Sequence, residues 1–234
     1  WYNTLDENGY GWNRTVSEGG PTQIVPGYFT SGAGPKLEKD IPYSYSNTNR
    51  PSNMDSVKTV VDVTDIEYVA NDTNSVKRAI KENGAVESCY YDNSSYYSGN
   101  SYYYNGSSDT TVNHAITIVG WDDNYSADNF VNKPEGDGAW IVRNSWGDYF
   151  GQGGYFYLSY YDVSISGTGY AVEAELSDNY DNNYQYDGTV WYNYAGYSTP
   201  KNTFANIFTA KANNGKAESI KAVSFETYQA ANAG

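Results

Sequence analysis

The run Asn113-His114-Ala115-Ile116-Thr117-Ile118-Val119-Gly120-Trp121 decides how this chain is read, together with Gly138-Ala139-Trp140-Ile141-Val142-Arg143-Asn144-Ser145-Trp146-Gly147 and Gly153-Gly154-Tyr155-Phe156-Tyr157-Leu158-Ser159-Tyr160 behind it. The pattern is strand, insertion, strand, turn, strand. In the first run Ile116, Ile118 and Gly120 alternate with Ala115, Thr117 and Val119, which predicts a strand largely buried on both faces. His114, the one histidine in 234 residues, then stands at the mouth of that strand. Imidazole titrates near neutral pH, so a histidine at the edge of a buried sheet is a candidate general base or ion-pair partner. By itself, a lone histidine in a chain of this size is more often structural or incidental.

The company His114 keeps narrows the choice. Asn144-Ser145-Trp146-Gly147 follows an apolar strand and leads into a glycine-rich turn and an aromatic strand. This combination resembles the papain family of cysteine peptidases. The resemblance implies that His114 is the histidine that pairs with a cysteine thiolate, that Asn144 is the amide that orients the imidazole, and that Trp146 is the indole covering their hydrogen bond. It also implies that Ala115, next after His114, borders a substrate pocket. An amide oxygen that accepts one ring N–H fixes tautomer and tilt while the other ring nitrogen faces the sulfur. The two residues are 30 apart. The acidic, glycine-containing insertion Asp122 to Gly138 between them reads as a loop, and this version of the motif resembles bacterial cell-surface members of the family.

Cys89 is the single thiol of the chain. It falls mid-strand in Gly84-Ala85-Val86-Glu87-Ser88-Cys89-Tyr90-Tyr91, only about 25 residues before His114. In papain-like enzymes the nucleophile opens a helix about 130 to 150 residues before the histidine. A helix N-terminus lowers a thiol pKa, and a strand interior offers no such field. Cys89 is therefore expected to be an inert core thiol. Counting back from His114 places the nucleophile, and the glutamine that helps form the oxyanion hole, before residue 1. The chain reads as N-terminally truncated and is expected to be inactive alone.

Upstream, Gly19-Gly20 precedes a short helix predicted to run to about Thr30, with Pro26-Gly27 as an interruption. Asp40-Ile41-Pro42-Tyr43 follows. In this order the segment resembles the papain crossing from the helical to the β domain, where a glycine pair lets the substrate backbone approach closely. Gly19 and Gly20 are accordingly candidate substrate-binding residues. Thr59 to Val63 predicts the first strand of the β domain. Asp72 should cap a helix with Val76 and Ile80 on one face, stopped by Gly84. Beyond the strand that ends at Tyr91, the Ser/Tyr/Asn/Gly stretch to about Asp109 reads as an exposed loop, its tyrosines as cover for apolar surface.

Residues 177–188 read as an acidic connector. Thr189 to Tyr192, Phe204 to Ala210 and Ala217 to Tyr228 predict strands, similar to the start of the lectin-like β-sandwich that follows the peptidase domain in some bacterial surface members. The expected organisation is α+β. Residues 1–175 form a papain-like domain with a β-barrel-like right half and a remnant of the helical left half, and 176–234 form a connector and an incomplete lectin-like domain. Asp178, Asp181 and Asp187 offer oxygen donors of the kind calcium takes, without an ordered loop signature, so no metal and no cofactor is expected.

Lys+Arg 14 against Asp+Glu 28 gives a net charge of −14, which argues against nucleic acid and anionic membranes as partners. One cysteine excludes an intrachain disulfide. Abundant Asn, Ser and Gly with 27 tyrosines suit a β-rich extracellular or cell-surface protein. The functional expectation is part of a papain-like endopeptidase acting on polypeptides, with a cell-wall or carbohydrate ligand for the C-terminal region. The alternative is a pseudo-peptidase or adhesin-like binding module. Such a module has no chemical need for His114 together with the whole Asn144 to Gly147 motif, and this favours the enzyme.

Overall fold

The computed structural model describes residues 18–20, 22, 24–30, 34–43, 51–54, 56–165, 167–176, 182, 184, 205–211, 215–221 and 223. Among these residues two α-helices and eight strands follow in order. They are α1 (Ile24–Thr30), β1 (Val61–Ala70), α2 (Thr73–Asn83), β2 (Val86–Tyr90), β3 (Tyr97–Ser98), β4 (Ser101–Tyr102), β5 (His114–Asp122), β6 (Ala139–Arg143), β7 (Tyr155–Ser159) and β8 (Thr168–Leu176). The strands form one sheet in the order β1-β8-β2-β5-β6-β7-β4-β3. Its centre is antiparallel, and the short β4 joins β7 in parallel.

The chain divides into two units, one of them Thr64–Ala174 and the other Trp1–Val63 with Glu175–Gly234. The core of the Thr64–Ala174 unit is one face of the sheet closed by α2. Val76, Ala79 and Ile80 of the helix join Val86, Tyr90, Tyr102, Ile116, Ile118, Trp140, Val142, Phe156 and Leu158 there. Each large apolar side chain buried in this way contributes about 1.5–3 kcal/mol.

The helix forms where the sequence places it. The Asp72 carboxylate accepts from the Asn74 and Ser75 N–H groups at 3.1 and 3.0 Å. Gly84, at φ 88°, ends it by donating to the Ile80 carbonyl. Strand β5 corrects the expectation of burial on both faces. Ile116 and Ile118 are buried, whereas Thr117 and Val119 are half-buried and Ala115 is exposed. A bulge between Ile118 and Gly120 shifts its register against β6.

The stretch expected as an exposed loop is interior in its middle, at residues 101–104, while residues 105–109 are exposed as expected. Tyr102, Tyr103 and Tyr104 are 0%, 7% and 8% exposed, on and just after β4. The insertion between β5 and β6 is an ordered loop. Its Ala127 N–H donates to Asp137, and Phe130 packs with Tyr103 and Ala139 in a small second core.

In the other unit, α1 contains Pro26 and Gly27 without interruption. Pro26 lies in the first turn, where a backbone N–H has no intrahelical acceptor, so its ring is tolerated. Tyr184 accepts from the Lys211 N–H at 2.6 Å and donates to Glu218 at 2.5 Å. Residues 205–210 and 217–221, the described parts of two expected strands, carry no strand. Ile207 and Ile220 are exposed there. The predicted strand at Thr189 to Tyr192 and the acidic trio Asp178, Asp181 and Asp187 lie outside the described residues. Among the described residues no group of three or more His, Cys, Asp or Glu could hold a metal ion. No helix among them is long and apolar enough to cross a membrane.

Candidate active site

The site is built from the ends of three neighbouring strands. His114 is the first residue of β5 and lies opposite Tyr90, the last residue of β2. Asn144 follows the last residue of β6, and its N–H donates to the Gly154 carbonyl at 2.9 Å. That bond holds Asn144 against the turn before β7. Gly154 itself has φ 87°, and a β-carbon there would meet the Gly147 carbonyl at 2.9 Å and the Arg143 guanidinium. Glycine is required for this return of the chain.

His114 Nε2 lies 2.9 Å from Asn144 Oδ1. Hydrogen-bond accounting fixes the direction of this contact. The same Oδ1 also accepts the Ser145 N–H at 2.7 Å. A backbone N–H only donates, so the atom it meets is the amide oxygen and not the nitrogen. The imidazole must then be the donor. In the neutral ring Nε2 carries the hydrogen and Nδ1 keeps its lone pair.

Two aromatic rings pack against the imidazole. The Trp146 indole lies over the imidazole at 4.7 Å between centroids and 34° between planes. The Tyr90 ring meets it edge-on at 5.8 Å. Phe150 supports Trp146 in a T-shaped contact at 4.8 Å. Asn144 is 3% exposed and His114 is half-buried, so their hydrogen bond is shielded while the imidazole keeps a path to solvent. Asn144 Nδ2 is buried with no partner among the described residues. An unpaired buried donor costs about 1–3 kcal/mol.

Ala115 pairs with Cys89 across β2 and is directed to the opposite face of the sheet from His114. Cys89 is 5% exposed, and burial with the Glu87 carboxylate nearby pushes its thiol up to about 12. A thiol so placed is almost wholly protonated at neutral pH, which matches its expected inertness. On the same face burial pushes the Glu87 carboxyl up to about 7.

His114, Ala115, Asn144 and Trp146 thus all fall in the Thr64–Ala174 unit. Gly19 and Gly20 fall in the other unit, both exposed in irregular backbone. Sequence reasoning passed over Tyr90, Asp92, Tyr97 and Phe150. The pairing of Tyr90 with His114 is a matter of strand register, which has no mark in the local sequence. The aromatic run Tyr90-Tyr91 ahead of a histidine strand was the one available signal.

The family model described as "Papain family cysteine protease" matches residues 12–174. Fruit bromelain of Ananas comosus is 31% identical over 152 residues, 64% of this chain and 40% of its own length. Cysteine proteinase COT44 of Brassica napus is 29% identical over 158 residues, 67% of this chain and 45% of its own. The cysteine protease and lectin-like domains of Cwp84, a surface layer associated protein of Clostridium difficile, superpose with a TM-score of 0.70 at 40% identity, covering 76% of this chain and 41% of that one. The chain therefore spans less than half the length of each of these relatives.

Proposed function

The chain belongs to the papain family of cysteine proteases, and from that premise we propose that the protein containing it hydrolyses peptide bonds by a Cys-His-Asn mechanism, with His114 and Asn144 as two of the three groups. A cysteine thiol gives its proton to His114 Nδ1, forming a thiolate and imidazolium pair. The sulfur attacks the substrate carbonyl carbon, and the tetrahedral intermediate collapses as the leaving amine takes the Nδ1 proton. Water then hydrolyses the thioester with Nδ1 as base. Asn144 holds the ring throughout by accepting the Nε2 hydrogen, and Trp146 shields that bond from water. Burial of Cys89 in β2 argues against it as nucleophile, so the proposal assigns that role to a cysteine of the protein outside these 234 residues.

One observation supports this reading above the others. The His114 Nε2 to Asn144 Oδ1 contact of 2.9 Å, with its direction fixed by Ser145, leaves the Nδ1 lone pair for the thiol. In the same proposal Gly19, Gly20, Ala115 and Trp146 contact substrate. Residues 1–175 form the peptidase domain, and 176–234 begin a lectin-like domain for a cell-wall or carbohydrate ligand. The likeness to a surface layer associated protein supports an extracellular or cell-surface location.

The test is expression of the open reading frame that contains this chain. Thiol-dependent cleavage of casein is expected, blocked by alkylation, with His114→Ala lowering kcat/KM by about 10²- to 10⁴-fold. Reading upstream of Trp1 adds a second check. A Gln followed by Cys-Trp supports the enzyme; Ser, Gly or Ala in the cysteine's place gives the binding module.

A further inference from the structure

A group of polar side chains beneath His114 has no part in the Asn144 pair. The hydroxyls of Tyr90 and Tyr97 lie 2.6 Å apart. Each also reaches the same carboxylate oxygen, Asp92 Oδ1, at 2.8 and 3.0 Å. Burial raises both phenols well above their ordinary range, so both hydroxyls keep their hydrogens.

The rings of these two tyrosines close a circuit around the imidazole. Tyr90 meets His114 at 5.8 Å, and Tyr97 meets Phe150 at 5.9 Å and 88°. Phe150 supports Trp146, which lies over His114. The circuit is His114, Trp146, Phe150, Tyr97, Tyr90 and back to His114. Its polar joint is the phenol pair. Asp92 is in turn clamped to the residue before the histidine. Its N–H donates to Asn113 Oδ1 at 2.6 Å, and its carbonyl accepts from Asn113 Nδ2 at 3.0 Å. The Asn113 N–H donates to the Tyr90 carbonyl at 3.1 Å.

Phenylalanine at 90 and 97 would fill nearly the same volume without desolvating two hydroxyls and crowding them onto a carboxylate. Burial alone does not explain this arrangement, because polar groups in an apolar setting cost free energy that their hydrogen bonds only partly return. What the hydroxyls add is direction. We propose that Asp92, Tyr90 and Tyr97 are positioning residues that set the tilt of the ring stack, and so hold the His114 imidazole with Nε2 on Asn144 and Nδ1 turned away from it. The proposal rests on the reading of His114 as a catalytic base.

Because His114 is the one histidine of the chain, it gives a single set of imidazole signals. Long-range ¹H–¹⁵N spectra of this chain at alkaline pH report the ratio of the ring's two neutral tautomers. Tyr97→Phe and Asp92→Asn are expected to move that ratio toward Nδ1–H by about fivefold, the factor that corresponds to about 1 kcal/mol. Tyr125→Phe, which removes a half-buried hydroxyl bonded to Ser101 beside the second core, serves as the control and is expected to leave the ratio unchanged. If Tyr97→Phe does not fold, Asp92→Asn, which keeps the side-chain volume, gives the same reading. A ratio that stays within twofold in the clamp variants, with only thermal stability lowered, overturns the proposal. The spectra do not depend on cleavage, so absence of peptidase activity would sink the functional reading and leave this result standing.

Discussion

Asn144 Oδ1 accepts two hydrogens, one from Ser145 and one from His114, and the second exists only in one tautomer of the ring. In the protein that carries the nucleophile, Asn144→Ala should lower kcat/KM by about 10²-fold and leave substrate binding nearly unchanged, as separate kcat and KM measurements would show. Two residues on the opposite face of the sheet give further predictions. The Glu87 carboxyl titrates near 7 when folded against an ordinary 4.5, so between those values the folded state holds a proton that the unfolded state has lost. Stability therefore falls as pH rises from about 4.5 to 7, on the order of 2 kcal/mol, and levels off above. Glu87→Gln should flatten that slope in urea melts across the window. Cys89, pushed up to about 12, should resist alkylation by iodoacetamide at pH 8 until the chain unfolds. His114, Asn144 and Cys89 were legible because each carries a local signal: a sole histidine, a four-residue motif, a thiol in a strand. Asp92 and Tyr97 were not legible, since nothing near them in sequence marks the ring they hold.

Legibility differs between elements for the same reason. Helix α2 was read with both ends correct because its stop signals are local, Asp72 at one end and Gly84 at the other. Asp72→Ala should cost about 1 kcal/mol in chemical denaturation, through the two N–H groups left without their acceptor. The two-residue strands β3 and β4 were missed. They are held by pairing with each other and by the parallel contact of β4 with β7, more than 50 positions away in sequence, so no periodicity announces them. In β5 the alternation was read correctly, but its second face proved to be partly open because Ala115, Thr117 and Val119 are small or β-branched without being core. The turn between β6 and β7 carries the same lesson in reverse. Gly154→Ala would force a β-carbon against the Gly147 carbonyl at a positive φ, and should destabilise by about 1–3 kcal/mol while displacing Asn144.

For the whole molecule, papain-family membership came from three strands and two motifs, while the division at Thr64 and Ala174 has no counterpart in composition. A net charge of −14 predicts no retention by anionic vesicles or DNA in co-sedimentation at physiological salt. The decisive property of that molecule is an imidazole already set to receive a proton at Nδ1. The long-range ¹H–¹⁵N spectrum of the unmodified chain at alkaline pH measures it directly. The prediction is a ring held predominantly as the Nε2–H tautomer, with that hydrogen protected from solvent exchange by Trp146 and lost from protection in Asn144→Ala. A predominantly Nδ1–H ring, or one that exchanges freely between tautomers in the folded protein, would contradict it.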